Sequence, residues 1–453
     1  MTSYLVRAKQ GLLRPFQTFF QTSASGGVIL MVCALAALVL ANSPWADAYF
    51  DIWQTIVTVG AGSFAISKPL LLWINDGLMA IFFFVVGLEI KREVLVGELS
   101  SAKQMALPLA AALGGMVVPA LLYLTLNAGT PTSSGWGIPM ATDIAFALGV
   151  LALLGTRAPL ALKIFLTALA IVDDLGAVLV IAFFYTSKLS LTALGVAGVV
   201  FLILMAMNRA RVQRTAVYVV LGIILWVAFL KSGVHATIAG VLLAMTIPAR
   251  RRIDAPVFYE RVKAMMVEFA EDLKPGRTEP TTDQRDAIQT IEVACEAVET
   301  PLARMEHALH GWVAFGIMPI FALANAGVAL SGDLGAMLTS SVSLGIILGL
   351  FFGKQIGVLF FSWLAIKLGW AERPAGVTWR QLYGVSLLTG IGFTMSLFIA
   401  NLAFVDAAVL DAAKVGIFAA SLIAGVAGWA MLRLTTNETE KMPVQEELAE
   451  AIS

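Results

Sequence analysis

Two adjacent carboxylates, Asp173 and Asp174, lie in the stretch LTALAIVDDLGAVLVIAFFYTS, which is otherwise apolar enough for a membrane interior. An ionisable side chain at the centre of a spanning helix costs about 2.5 to 3.5 kcal/mol on insertion scales, so it needs a compensating role. Two close carboxylates in a poorly solvated site resist ionising together, and a small hard cation can replace the protons they hold. The aspartate pair therefore predicts competition between protons and sodium or lithium for one site.

Three further polar side chains fall within apolar runs: Thr142, Asp143 and Lys354. Neighbouring residues on a helix point about 100° apart, so Asp173 and Asp174 cannot both face one partner. One can line a water-filled cavity while the other meets a neighbouring helix, where Lys354 is the only cation at mid-membrane depth. The hydroxyl of Thr142 can complete the shell of a bound cation. The alternative is that Lys354 pairs with one aspartate only to fix helix packing, which leaves the second aspartate uncompensated.

The composition is that of a polytopic membrane protein. Of the 453 residues, 59% are hydrophobic and 13% are charged, and the mean hydropathy is +0.86. The 30 basic and 30 acidic residues balance, so the charge gives no reason to expect a nucleic-acid partner. Cys33 and Cys295 form no metal-ligand spacing, and no nucleotide motif is present. We therefore expect no cofactor and secondary, not ATP-driven, transport.

About twelve apolar runs are long enough to cross a bilayer as helices, at about 20 residues each. They cover residues 26–41, 69–90, 104–126, 136–154, 160–185, 189–207, 215–230, 233–247, 311–330, 341–368, 381–404 and 409–434. Within the tenth run, Gly345, Gly349 and Gly353 form a small-residue face that predicts close helix packing.

Basic residues alternate between successive loops, as the positive-inside rule requires. Lys and Arg gather in one set of loops, whereas the intervening loops hold only Lys68, Lys188, Lys231 and Lys414. This alternation predicts that both termini are cytoplasmic. It also agrees with an even number of spans.

The hydrophilic segments divide the chain further. Residues 1–25 form a basic amphipathic segment expected at the cytoplasmic membrane surface, residues 26–248 the first eight spans, 311–434 the last four, and 435–453 a polar tail. Residues 249–310 are expected to form a cytoplasmic insertion with two amphipathic helices. Ile288, Ile291, Cys295 and Val298 recur there at helical spacing, and a packed connector is favoured over a docking surface.

A short internal repeat links the fourth and eleventh spans. The fourth contains T-D-I-A-F at 142–146 and the eleventh T-G-I-G-F at 389–393, each near helix-weakening glycine or proline residues. Matching weak points in two halves of a transporter are typical of discontinuous helices that meet at the midplane and build an ion site. The fourth span runs inward and the eleventh outward, so the repeat is predicted to be inverted.

Other charged residues have simpler interpretations. Asp76 lies toward the outer part of the second span, where structural hydrogen bonding is favoured. The cluster at the cytoplasmic end of that span is explained by interfacial anchoring and contains Glu89, Lys91, Arg92 and Glu93. The three histidines lie near membrane boundaries, His235 at the eighth span and His307 and His310 beside Glu306 at the ninth. Whether they sense pH or only line the surface stays open.

Several motifs together resemble the NhaA family of bacterial sodium/proton antiporters over nearly the whole chain. They are INDGLMAIFFFVVGLEIKRE, MATDIAFALGVLALLG, LTALAIVDDLGAVLVIAFFYT, KSGVHATIAGV, EHALHGWVAFGIMPIFALANAGV and TGIGFTMSLFIA. The resemblance implies an all-α membrane protein of twelve helices with inverted-topology repeats. It implies that the fourth and eleventh helices are broken and cross at the centre of the membrane.

The resemblance also implies the roles of individual residues. Asp174 and Asp173 would be the cation and proton carriers, Thr142 and Asp143 would lie at the helix break, and Lys354 would pair with Asp173 at the crossing. Asp143 would offset the partial positive charges of helix N-termini. Eight residues map to positions associated with pH response: Glu89, Lys91, Arg92, Glu93, His235, Glu306, His307 and His310.

The activity implied is electrogenic exchange of one sodium or lithium ion for two protons, switched on at alkaline pH, by a homodimer in the bacterial inner membrane. The insertion at residues 249–300 and the tail are longer than is usual for the family. Two other functions fit these residues less well. An intramembrane aspartyl protease would draw its two acids from different helices, and a sodium-coupled symporter of an organic solute would move cations only with that solute. A passive channel fits worst, because adjacent acids would hold an ion too tightly.

Overall fold

The computed structural model describes residues 25–60, 65–97, 99–186, 189–251, 253–271, 279, 281–330 and 333–435. The predicted N-terminal amphipathic segment, apart from Ser25, and the predicted polar tail, apart from Thr435, lie outside the described residues. So does Lys188.

The described chain is mostly helical. In chain order the helices are α1 (Ser25–Ala41), α2 (Ala46–Gln54), α3 (Leu70–Val96), α4 (Ala102–Asn127), a 3-10 helix (Pro131–Met140), α5 (Ile144–Ala152), α6 (Leu160–Phe184), α7 (Leu191–Arg209), α8 (Thr215–Ser232), α9 (Ile238–Thr246), α10 (Ala255–Glu271), α11 (Thr282–Val298), α12 (Pro301–Asn325), α13 (Leu334–Thr339), α14 (Ser341–Lys367), α15 (Trp379–Leu388), α16 (Phe393–Ala403) and α17 (Ala407–Thr435). A one-turn 3-10 segment, Gly155–Arg157, joins α5 to α6.

The described residues contain eight helices long and apolar enough to cross a membrane, or eleven spans if each of three bent helix pairs counts as one. A polytopic helical membrane protein is therefore confirmed. The predicted twelfth crossing is missing from this count because the eighth run contains only α9. Its nine residues extend about 14 Å, roughly half of a bilayer core.

The fourth and eleventh spans are both interrupted. The 3-10 helix and α5 meet at an angle of 41°, and α15 and α16 meet at 45°. The eleventh span breaks where Gly390 and Gly392 occur, and a Cβ atom at Gly390 would lie only 2.5 Å from the carbonyl oxygen of Leu350. Glycine therefore lets the non-helical segment pack directly against α14. The prediction of two discontinuous helices is confirmed.

Close packing of α4 on α14 places Lys354 in the centre of the bundle. A Cβ atom at Gly353 would lie 2.7 Å from the Cα of Pro119, and one at Gly349 would lie 3.2 Å from the carbonyl oxygen of Pro119. At Gly357 an added Cβ would collide with the carbonyl oxygen of Gly114. The small-residue face predicted on the tenth run thus permits this approach, and it extends one turn beyond Gly353.

A short antiparallel hairpin departs from the all-α prediction. Strands β1 (Ile56–Val59) and β2 (Ile66–Pro69) pair with Ile56 opposite Pro69 and Val59 opposite Ile66. All four residues of β1 have β-branched side chains: Ile56, Val57, Thr58 and Val59. Such residues favour a pleated strand over a helix.

The insertion forms a helical hairpin of α10 and α11. Helix α11 begins with a capping box in which Thr281 and Gln284 bond each other's backbone N–H groups. The predicted apolar face is wrong in detail, because Ile288 and Cys295 are exposed and Ala287 and Ala294 are buried. The small side chains of Ala287 and Ala294 let α10 and α11 approach each other closely. The buried face of α11 therefore includes the residues that immediately precede Ile288 and Cys295. A packed connector fits this arrangement.

The alternation of basic residues predicts a loop position for Lys414, but the structure places this lysine within α17, where it is buried. Its Nζ atom donates a hydrogen bond to the carbonyl oxygen of Gly327, 3.1 Å away. The lysine therefore binds the chain just beyond the end of α12.

Candidate functional site

The central ion pair joins α6 to α14. The Nζ atom of Lys354 lies 2.7 Å from the Oδ2 atom of Asp173, and both side chains are fully buried. Lys354 follows a π-helical segment, Leu348–Gly353, whose wider turn interrupts the regular α-helical ladder of α14. The sequence left two aspartates as candidate partners of the lysine, and the structure pairs it with Asp173.

The second aspartate lies beside this pair without joining it. Asp174 is 2% exposed, and among the described residues the Oδ1 atom of the neighbouring Asp173 has no hydrogen-bond partner. Thr142 lies next to the Asp173 carboxylate. Buried polar groups normally have hydrogen-bond partners, so this oxygen and the buried carboxyl group of Asp174 set the two aspartates apart from the rest of the core.

Asp143 joins the two breaks. Its Oδ1 atom accepts the N–H of Phe146 at 3.0 Å, which caps α5. Its Oδ2 atom accepts the N–H of Thr394 at 3.0 Å and also the hydroxyl of Thr394. The backbone N–H of Asp143 donates to the carbonyl oxygen of Ile391 at 2.7 Å. One carboxylate therefore serves the first turns of both α5 and α16.

This position has an electrostatic reason. The N-terminus of a helix carries a partial positive charge, and an anion in its first turn is stabilising. The N-termini of α5 and α16 both meet the carboxyl group of Asp143, where a negative charge would stabilise the two of them. Thr142 completes the connection, because its hydroxyl donates to the carbonyl oxygen of Thr389 at 2.9 Å, near the end of α15.

A second ionic cluster lies where the end of α3 meets the start of α12. The two guanidinium nitrogens of Arg92 lie 2.9 Å from Glu306 and 2.8 Å from Glu93, and His310 lies 3.7 Å from Glu89. Five of the eight predicted pH-response residues are thus brought together.

The remaining three residues of that prediction lie apart from the ionic cluster. Lys91 donates to the carbonyl oxygens of Met245 and Ile247, both at 2.6 Å, where it binds the C-terminal end of α9. His307 is exposed. The Nε2 atom of His235 lies 3.7 Å from Asp76, which pairs with Lys68 at 2.8 Å. The hydrogen bond from Lys68 agrees with the structural role expected for Asp76.

A buried amide network was missed in the sequence. Asn75 and Asn325 exchange hydrogen bonds of 3.2 and 2.9 Å, and Asn401 donates to the same Asn325 oxygen at 3.1 Å. The network ties α3, α12 and α16 together. Its signal was available, because each asparagine interrupts an otherwise apolar run.

Buried ionisable groups at the meeting point of two interrupted spans are typical of multi-pass secondary transporters. The chain belongs to the family described as Na+/H+ antiporter 1, whose model matches residues 17–432.

The relatives cover nearly the whole chain. The Na(+)/H(+) antiporter NhaA of Oleidesulfovibrio alaskensis is 54% identical over 434 residues, 95% of this chain and 96% of that protein. Na(+)/H(+) antiporter NhaA 2 of Syntrophotalea carbinolica is 52% identical, over 93% of this chain and 96% of its own. Na(+)/H(+) antiporter NhaA 1 of Klebsiella pneumoniae is 47% identical, over 94% and 98%. The family resemblance drawn from the motifs is confirmed.

Proposed function

We propose that the protein exchanges sodium or lithium ions for protons across the bacterial inner membrane, and that Asp173 and Asp174 carry both kinds of ion. The observation that carries the proposal is a buried Asp174 next to the Asp173–Lys354 ion pair, in which the Oδ1 atom of Asp173 has no hydrogen-bond partner among the described residues. The sodium/proton antiport named for the relatives supports the same choice of ions.

The charge balance makes this exchange electrogenic. Two carboxylates that carry two protons are neutral, whereas the same carboxylates with one monovalent cation keep one negative charge. A cycle that returns with two protons after releasing one cation therefore moves one net charge. Lys354 stabilises Asp173 when no ion is bound, and it must give up that contact when Asp173 accepts a proton or a cation.

Asp143 and Thr142 connect the two interrupted spans beside the proposed ion site. Their bonds to Thr394 and Thr389 connect the two breaks, which supports a crossing of inverted repeats at the centre of the membrane. Thr142 also offers a hydroxyl oxygen to the cation, beside the carboxylates.

The ionic cluster of Glu89, Arg92, Glu93, Glu306 and His310 is the proposed pH-responsive element. It contains groups of both signs in close contact, so a change of protonation alters the packing of α3 on α12. His235, His307 and Lys91 have weaker support because they lie outside it. Cytoplasmic termini, a homodimer and contacts with membrane lipid complete the proposal.

The exchange can be tested with purified protein in liposomes. An acid interior is made, sodium or lithium is added outside across a pH series, and an internal dye reports proton release. Asp174→Asn should abolish the release, while Asp47→Asn, an exposed aspartate at the start of α2, should leave it intact. Clamping the membrane potential with valinomycin should change the rate if exchange is electrogenic.

An inactive result has a clear meaning. If folded protein releases no protons on addition of sodium or lithium at any pH, cation/proton exchange is wrong and solute-coupled symport becomes the next assay. If Asp174→Asn still exchanges ions, the assignment of the carrier is wrong.

A further inference from the structure

A groove of about 440 Å³ opens on the outer surface of the bundle between α1, α5 and α17. Leu35 and Leu422 line it and are 63% and 69% exposed, so the groove faces the region that lipid occupies. Its size falls within the roughly 300 to 1,000 Å³ of small-molecule sites. Its lining is apolar apart from Ser421.

The inner end of the groove lies next to the helix break. Phe146 and Phe393 line this end, with ring centres 5.4 Å apart. The N–H of Phe146 is one of the groups that Asp143 caps, and Phe393 precedes Thr394, which supplies two others. Ser421 accepts the N–H of Phe393 at 3.2 Å. A molecule in the groove would therefore touch the residues that hold the break in shape.

The opposite end of the groove, toward the C-terminus of α17, lies near a positive charge. Trp429 lines the groove there, and the guanidinium carbon of Arg433 lies 4.9 Å from the centre of the Trp429 ring. From Phe418 to Trp429 the groove follows α17 for about 16 Å at 1.5 Å per residue. One leaflet of the hydrocarbon core is about 15 Å deep. The groove is thus about as long as one acyl chain. The guanidinium group of Arg433 lies at the end where the phosphate group of the lipid would be.

We propose that this groove, lined by α1, α5 and α17, binds one acyl chain of an anionic phospholipid whose phosphate pairs with Arg433. The acyl chain fills the space beside Phe146 and Phe393 and thereby supports the helix break at Asp143. This second part rests on the proposed exchange function, whereas the binding site itself does not.

Lipid binding is measured by native mass spectrometry of delipidated protein titrated with phosphatidylglycerol. Arg433→Gln should lower the affinity for one bound lipid about fivefold, which is the effect expected for one basic residue near an anionic surface. Gly425→Leu should remove that lipid by filling the groove. Gly425→Ala should retain it, because an added Cβ meets its nearest atom, in Ile391, at 3.6 Å, an ordinary contact.

Two matched controls separate this site from general lipid contact. Lys367 lies 4.7 Å from the ring centre of Trp363 at the end of α14, so Lys367→Gln removes a similar cation over a tryptophan away from the groove. Gly198→Leu adds the same side chain at an open position on α7. Equal lipid retention in all variants and controls would overturn the site. So would a disulfide-linked dimer of Leu422→Cys, because the occupant would then be a second copy.

The bracing role is tested in liposomes made with phosphatidylglycerol or with neutral phosphatidylcholine. Gly425→Leu and Arg433→Gln should lose the stimulation by phosphatidylglycerol that the unaltered protein and the controls retain. If these variants lose the lipid but exchange ions normally, the bracing role is wrong and the site stands. If the unaltered protein exchanges no sodium for protons, the proposed function fails, and mass spectrometry still decides the site.

Discussion

Lys354 and Asp173 form a 2.7 Å ion pair between two membrane helices, and neither side chain is exposed to solvent. Removing one partner from a buried pair leaves an uncompensated charge, which costs about 3 to 5 kcal/mol. Removing both costs less, because no lone charge remains.

We therefore expect Lys354→Met to lower the melting temperature of the purified protein strongly. The double variant Lys354→Met with Asp173→Asn should melt at a higher temperature than Lys354→Met alone. Thermal unfolding in detergent, followed by tryptophan fluorescence, provides the measurement. Strictly additive losses would show that the two side chains do not interact in the folded protein.

Asp143→Ala should destabilise the protein more than the loss of an ordinary helix cap, because this carboxylate caps both α5 and α16. Each lost cap costs about 0.5 to 2 kcal/mol. Asp333→Ala is the matched control, since Asp333 caps only the short helix α13 at an exposed position. Equal melting temperatures for the two variants would contradict a shared role of Asp143.

Thr394→Val should have a smaller effect than Asp143→Ala. It removes the hydroxyl that donates to Asp143 but keeps the backbone N–H of residue 394, so one of the two bonds from this residue survives. Sodium-dependent proton release and melting temperature should both fall between those of the unaltered protein and Asp143→Ala. A loss as large as that of Asp143→Ala would assign the main role to the hydroxyl.

Asn325→Leu should leave the amides of Asn75 and Asn401 without their shared partner. A buried polar group that loses its hydrogen bond costs about 1 to 3 kcal/mol. Asn208→Leu, which removes a single bond to the carbonyl oxygen of Thr246, is the control and should cost less. Thermal unfolding compares the two, and a smaller loss for Asn325→Leu would argue against a cooperative network.

The helical hairpin of the insertion should be dispensable for ion exchange. The N–H of Leu302 donates to the carbonyl oxygen of Pro248 at 3.2 Å, so the chain already closes at the base of the insertion. Replacing residues 254–299 with a short glycine-serine linker should therefore preserve proton release at saturating sodium. Loss of exchange by a correctly folded variant would show that the hairpin contributes to transport.

The sequence predicted the chemistry of the site better than its contacts. Asp173, Asp174, Asp143 and Lys354 could be found because a charge within an apolar run is costly and therefore conspicuous. Which aspartate pairs with Lys354 could not be derived from helix geometry alone, because both were within reach in principle. The π-helical turn that precedes Lys354 has no sequence signal of its own, yet it changes where the side chain points.

The span count was the weakest part of the sequence prediction. The eighth run is mostly apolar, although it contains His235, and α9 begins only at Ile238, after the turns that follow Gly233, whose φ of 86° suits glycine. Hydropathy cannot detect such a late start. Thr394 was missed for a different reason: a threonine in an apolar helix is unremarkable until the chain brings it to Asp143.

Asp143 also limits how the protein can move. Because its two carboxylate oxygens bond α5 and α16 separately, sliding one half-helix past the other would leave a helix end unpaired in the buried centre of the bundle. The two half-helices would then move together as one rigid body. In an alternating-access cycle, motion would occur at the interfaces between this body and the surrounding helices, and the arrangement of the break itself would not change.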